Sequence, residues 1–247
     1  MPTIHVFYRL AEQPATQPKI KLPAATKLAC LRNFVSHFSD DAVTVLADGV
    51  GPGLRADARA TGVDVVEVSH GSGGGNFRDA AARAMALPAD TMVYLVEDDF
   101  VHRAGAREAL LDGFDQDAAY VTLYDHPDKY VDASDGGNPH VSRGGEKTLL
   151  TRGTACHWKR TNSTVMTFAV RAGRLASDWK FILPTSRATY TDSYTMFRRL
   201  ARRGRHLISA VPGLATHAET AYLSPGWDWS AELDRAAAPA PAEAVTA

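Results

Sequence analysis

Apolar positions recur in two rhythms along the N-terminal half of the chain. Ile4, Val6 and Tyr8 alternate with His5 and Phe7, which predicts a strand over 3–10; the Gln- and Pro-rich stretch 12–23 predicts a loop. Leu28, Leu31, Phe34, Val35 and Phe38 then fall at helical spacing, so 24–38 reads as an amphipathic helix. The unbroken apolar run 42–47 predicts a buried strand ending at Asp48-Gly49, followed by a helix over 54–61 and a strand over 63–68. Next come Ser69-His70-Gly71-Ser72-Gly73-Gly74-Gly75 and an alanine-rich helix over 76–87, with Asn76 as its expected N-cap. A strand over 91–96 empties into Glu97-Asp98-Asp99, and a helix over 104–114 follows. Repeated strand and helix alternation of this kind predicts a parallel, doubly wound sheet.

Behind the acidic triplet the texture changes. A strand is expected over 118–124, then a polar, mobile loop over 125–145. Short strands over 148–151, 155–158 and 164–170 are expected to pair antiparallel, with helices over 171–177 and 189–203, the latter stopped by Gly204. A last strand over 206–211 leads through Pro212 and Gly213 to His217. The expectation is one domain over 1–235, in two halves of 1–115 and 116–235, and a disordered Ala/Pro tail over 236–247.

Composition alters this picture little. A chain of 247 residues suffices for one large α/β domain, and a formal net charge of -1 offers no field for nucleic acid. The arginines at 198–205 are a local exception, explained by their place at a helix C-terminus. Cys30 and Cys156 show neither metal nor disulfide spacing, which points to a reducing, cytoplasmic setting. There is no leader-like N-terminus and no apolar stretch approaching the roughly 20 residues that span a bilayer. A soluble protein is expected.

The candidate chemistry sits at strand ends. Three adjacent carboxylates repel one another, and each needs water, a donor or a cation to stay ionised. A hard divalent metal bridging to phosphate would satisfy Glu97, Asp98 and Asp99 together, although strands also end in plainly solvated acids. The glycines of 69–75 entering a helix suit a phosphate cradle or a flexible loop, and match neither the dinucleotide fingerprint nor the phosphate-loop pattern. Arg78 and Arg83 lie more than a turn apart, so only one of them faces a ligand there. Asp192 heads a basic helix, where a carboxylate gains about 0.3–1 kcal/mol from the macrodipole whatever its function. His217 is either a metal ligand or base, or an ordinary structural histidine.

In their order along the chain, these features resemble a glycosyltransferase with the GT-A fold, closest to the family 2 type, from residue 3 to about 219. Val43-Thr44-Val45-Leu46-Ala47-Asp48-Gly49 looks like the strand whose aspartate holds the nucleotide base. Gly74-Gly75-Asn76-Phe77-Arg78 resembles the turn that enters the next helix, and Glu97-Asp98-Asp99 is similar to the Asp-X-Asp motif with Glu in first place. Thr191-Asp192 stands where the family has Glu-Asp at the head of a helix, and the histidine of Val211-Pro212-Gly213-Leu214-Ala215-Thr216-His217 resembles the one that completes the metal site.

The resemblance implies an α/β GT-A-like fold: a mainly parallel nucleotide-binding sheet flanked by helices, with a smaller antiparallel acceptor-side portion. It further implies Mn2+ or Mg2+ on Asp99 and His217, and a nucleoside-diphosphate sugar donor held by Tyr8, Arg9, Asp48, Gly75, Asn76, Arg78, Glu97 and Asp98. Asp192 would be the general base of an inverting transfer. The acceptor, a saccharide, small molecule or peptide, would meet Asp125, Trp158 and Tyr190, with 125–145 as a lid and Trp227 and Trp229 as further stacking faces. Two rivals share the sheet. A nucleotidyltransferase would need lysine or arginine in the first loop, where 14–21 offers only Lys19 and Lys21; a non-catalytic sugar-nucleotide module would tolerate loss of Asp99 or Asp192.

Overall fold

The structure, a computed structural model, describes residues 3–12, 19–135, 137–138, 148–162, 164–186 and 191–237. The N-terminal half alternates as the hydrophobic pattern requires: β1 (Ile4–Ala11), α1 (Lys27–His37), β2 (Ala42–Asp48), α2 (Pro52–Ala60), β3 (Asp64–Val68), α3 (Gly73–Met85) and β4 (Met92–Glu97). There follow β5 (Phe100–His102), α4 (Ala106–Asp115), β6 (Tyr120–Thr122), β7 (Leu150–Arg152), β8 (His157–Thr161), β9 (Phe168–Arg171), α5 (Ala172–Ile182), α6 (Ser193–Ala201), β10 (Leu207–Val211), β11 (Ala215–His217) and α7 (Trp229–Ala237).

Among the described residues nine strands form one sheet in the order β3-β2-β1-β4-β9-β6-β10-β8-β7. β3, β2, β1 and β4 are parallel neighbours, and β6 and β10 run the same way, whereas β9 and β8 run against them. Side chains of successive residues leave a strand on opposite faces. Tyr8, Tyr94 and Val96 accordingly pack with Leu31 and Phe34 of α1 and with Phe38 at its C-cap, while Phe7, Val93 and Leu95 pack with Phe77, Ala80, Ala81 and Ala84 of α3. The parallel strands therefore all deliver their C-termini to one edge. α6 runs back toward the start of β10, so Asp192 lies at that same edge.

Several elements differ from their expected form. α3 starts at Gly73, not Asn76, because Ser72 caps it: its Oγ accepts the Gly75 N–H at 3.1 Å. α5 runs on to Ile182, well beyond 177. β5 and β11 form a separate two-stranded sheet, and α7 packs on α1 and β5. In the segment after Asp125, expected as a loop, the described residues form only short 3-10 turns, and Lys129 and Asn138 anchor it at 1 % exposure each. Residues 139–147 of that stretch, Tyr190, and 238–247 of the tail lie outside the described residues. Among the described residues no helix is long and apolar enough to cross a membrane.

Candidate functional site

The acidic triplet closes β4 and turns the chain into β5, whose antiparallel pairing places His217 opposite Phe100. The Ala218 N–H donates to the Asp99 carbonyl at 2.8 Å, and His217 Nε2 lies 3.1 Å from Asp99 Oδ2. The same oxygen accepts from Lys21 Nζ at 2.8 Å. Asp98 Oδ2 accepts the Ala11 N–H at 2.7 Å, while its Oδ1 pairs with the ammonium of Lys27 at the head of α1. Glu97 Oε1 is 3.3 Å from Arg9 Nη2, and its Oε2 accepts the Met166 N–H at 3.2 Å.

Each carboxylate thus has its own cation. Burial pushes the Asp98 carboxyl above its ordinary range, with Lys27 opposing. Burial works the same way on Asp99, but His217 and Lys21 outweigh it and hold that carboxyl well below the usual range. Burial tends to lower the Lys21 ammonium, and Asp99 more than reverses this.

Behind the triplet, at the end of β2, Asp48 is 1 % exposed; its Oδ1 accepts the N–H groups of His70 and Gly71 at 2.8 and 3.1 Å, and its Oδ2 has no partner. Gly71 adopts φ 62°, a left-handed conformation that glycine takes without strain. Asn76, 2 % exposed, leaves both amide atoms unbonded. Gly75 is placed otherwise than expected. Its N–H serves the Ser72 cap, and a Cβ there would lie 2.8 Å from His70 Cβ, so it makes the turn tight without offering its amide to phosphate. Arg78 Nε donates to the Gly74 carbonyl at 3.2 Å, and with His70, Ser72, Gly75 and Asp79 it lines a cavity of about 610 Å³.

Tyr8 is a core residue with its ring centroid 5.4 Å from that of Phe34; only its unpartnered hydroxyl lies beneath the triplet. Burial raises that hydroxyl well above its usual pKa, with the charges of Asp98 and Asp99 adding to the effect. Arg9 is engaged from both sides, donating to the Met166 carbonyl at 2.7 Å and meeting Glu97. His217 Nδ1 makes no hydrogen bond and lies 3.8 Å from Glu219.

On the acceptor side, Asp192 caps α6: its Oδ1 accepts the Thr195 N–H at 2.9 Å, and its own N–H donates to the Thr185 carbonyl at 3.0 Å. The following Ser193 and Tyr194 line a cavity of about 300 Å³ with His126, Asp128, Asn138, Thr164 and Val165. Trp158 is not a sugar platform. It has no exposed surface, and its Nε1–H donates to Asp112 Oδ2 at 2.8 Å. Asp125 is likewise spoken for, 2 % exposed and 2.8 Å from Lys159 Nζ. Trp229 is buried and bonds the Ser224 carbonyl, whereas Trp227 is exposed beneath Arg103, 4.2 Å from its ring centroid. A further cavity of about 580 Å³, lined by Arg160, Arg171, Arg174 and Arg205 among others, lies at the opposite edge of the sheet and shares no residue with the triplet. Sequence reasoning missed Lys27, although lysines at 19, 21 and 27 flank the first loop.

Asp99 and His217 offer one carboxylate and one imidazole, a donor pair acceptable to Mn2+. As arranged, these residues do not fit a divalent cation, because the Lys21 ammonium already sits on the shared oxygen. Among the described residues no three His, Cys, Asp or Glu side chains are grouped to hold a metal.

No family model matches the sequence, and no curated protein matches it. Solved structures do resemble it. A glucose-1-phosphate thymidylyltransferase from Bacillus anthracis, in complex with a sucrose, superposes with a TM-score of 0.52 at 12% identity, over 95% of this chain and 94% of that one. A 4-diphosphocytidyl-2C-methyl-D-erythritol synthase gives 0.49 at 12% identity, over 95% and 98%. The galactosyltransferase LgtC, with donor and acceptor sugar analogs, gives 0.46 at 12% identity, over 84% and 73%. At such identities the likeness is one of fold. The chain is a mixed α/β protein of this architecture, with a mainly parallel central sheet and an antiparallel portion, as expected.

Proposed function

We propose that this chain is a transferase acting on a nucleotide-bearing donor held across the C-terminal ends of β1, β2 and β4. The carrying observation is the set of buried, unpartnered polar atoms at that edge: Tyr8 Oη, Asp48 Oδ2, both Asn76 amide atoms and His217 Nδ1. Buried polar groups in folded proteins are nearly always hydrogen-bonded, so orphans on neighbouring elements mark a place that a ligand completes. Open α/β sheets bind their ligands at this edge. Asp48 Oδ2 is an acceptor for a base or ribose donor, and Asn76 supplies both donor and acceptor.

Of the transfers such a site supports, glycosyl transfer uses most of it. An acceptor hydroxyl is a poor nucleophile until a base takes its proton. Asp192 directly precedes Ser193 and Tyr194, which line a cavity, and one of its oxygens caps the helix, which leaves the other for that task. Such assistance is typically worth ~10²–10⁴-fold in rate. Nucleotidyl transfer is a second reading, favoured by Lys21 and Lys27, which bring cations from the first connection and the head of α1 to the strand ends. Mass spectrometry of products separates the two. Release of a nucleoside diphosphate from UDP-, GDP-, dTDP- or CDP-sugars supports glycosyl transfer; release of pyrophosphate from a nucleoside triphosphate and a sugar phosphate supports nucleotidyl transfer. A chain that turns over neither set is not the proposed transferase.

A further inference from the structure

The lysine and arginine cations on the triplet come from β1 (Arg9), from the connection after it (Lys21) and from the head of α1 (Lys27). Arg9 is 5 % exposed, with Nη2 held by the Met166 carbonyl and Glu97, but the Lys21 and Lys27 side chains keep 26 % and 35 % of their surface, so a ligand can reach them. Lys21 is also fixed by its backbone. It bridges Glu219, while the Leu22 N–H donates to the Ala218 carbonyl at 3.0 Å and the Thr220 N–H to the Ile20 carbonyl at 2.9 Å. The segment that carries His217 thus fastens the main chain of Lys21 beside Asp99. An ammonium has three N–H donors, of which Asp99 takes one. The remaining donors belong to a compact, partly exposed positive charge, a form of charge well suited to phosphate.

We propose that Lys21, seconded by Lys27, receives the phosphate oxygens of the nucleotide, and that Asp98 and Asp99 hold these ammoniums in place of ligating a divalent metal. The inference rests on the nucleotide-site reading above. It assigns the acidic triplet a different task from the one its sequence suggests. Two positive charges are presented to the phosphates, and the carboxylates keep those charges in position.

Isothermal titration of the full chain with UDP, GDP, dTDP, CDP and ADP, in EDTA and in parallel with Mn2+ or Mg2+, tests this, with a Mn2+ titration followed by electron paramagnetic resonance. The expected result is a nucleoside diphosphate that binds in EDTA without any metal, and a Mn2+ signal that the protein does not change, either alone or beyond what the nucleotide alone takes up. Lys21→Ala should then weaken binding about ten- to a hundredfold, as for a lost charged hydrogen bond, and Lys21→Arg should retain most of it. The melting temperatures of both variants without nucleotide report on folding. Binding that appears only with metal, or a folded Lys21→Ala that binds as wild type in EDTA, overturns the inference and leaves the nucleotide site standing. If no nucleotide binds in either buffer, the nucleotide-site reading itself fails, and the inference with it.

Discussion

His217 Nε2 lies 3.1 Å from Asp99 Oδ2, two residues 118 positions apart brought together by the three-residue pairing of β5 with β11. That contact and the Lys21 ion pair hold the Asp99 carboxyl well below its usual range, against the opposing effect of burial. A carboxylate whose folded pKa is depressed adds stability above its unfolded value, about 3.9 for Asp, and that contribution is lost as pH falls below it. The melting temperature of wild type should therefore drop more steeply below about pH 4 than that of Asp99→Asn. Asp98 feels the charge of Asp99, so the difference between the curves reports on the two carboxyls together; parallel curves would contradict the pairing.

Asp48 carries two tasks that substitution separates. Asp48→Asn keeps an oxygen for the His70 and Gly71 N–H groups but loses the charge, so the melting temperature should hold while nucleotide affinity falls. Asp48→Ala removes the acceptor and should cost about 1–3 kcal/mol of stability in denaturant unfolding.

Asp192→Asn should lower the glycosyl transfer rate by ~10²–10⁴-fold and spare donor affinity. Asparagine caps helices as well as aspartate, so α6 should stay intact. Full transfer activity in this variant would remove Asp192 as the base.

Trp158→Phe should cost about 1–3 kcal/mol, because Asp112 loses a buried donor, and should leave acceptor KM unchanged. A rise in KM with unchanged stability would restore the stacking role that the burial of Trp158 denies it.

Much of this architecture is written in periodicity. Leu31, Phe34 and Phe38 at helical spacing, and the apolar runs of β2 and β4, announce α1 and the parallel strands, and with them the edge where Asp48 and the triplet emerge. β5 and β11 escape because three residues carry no period. The Ser72 cap is hidden by glycines that read equally well as loop. Lys21 and Lys27 find their carboxylates 78 and 71 residues away, a pairing that the fold decides and no local pattern records. Trp158 illustrates a different blindness, since an indole suits a core as well as a sugar platform until its hydrogen bond to Asp112 is seen.

The central claim is that the C-terminal edge of β1, β2 and β4 binds a nucleotide. Hydrogen exchange read by mass spectrometry, with and without a saturating nucleoside diphosphate, tests it most directly. New protection is expected in the peptides covering Asp48, His70 to Asp79 and Asp98 to Phe100, and its loss in Asp48→Asn at the same nucleotide concentration. No protection with any nucleotide, or protection confined to the arginine-lined cavity at the opposite edge, would contradict it.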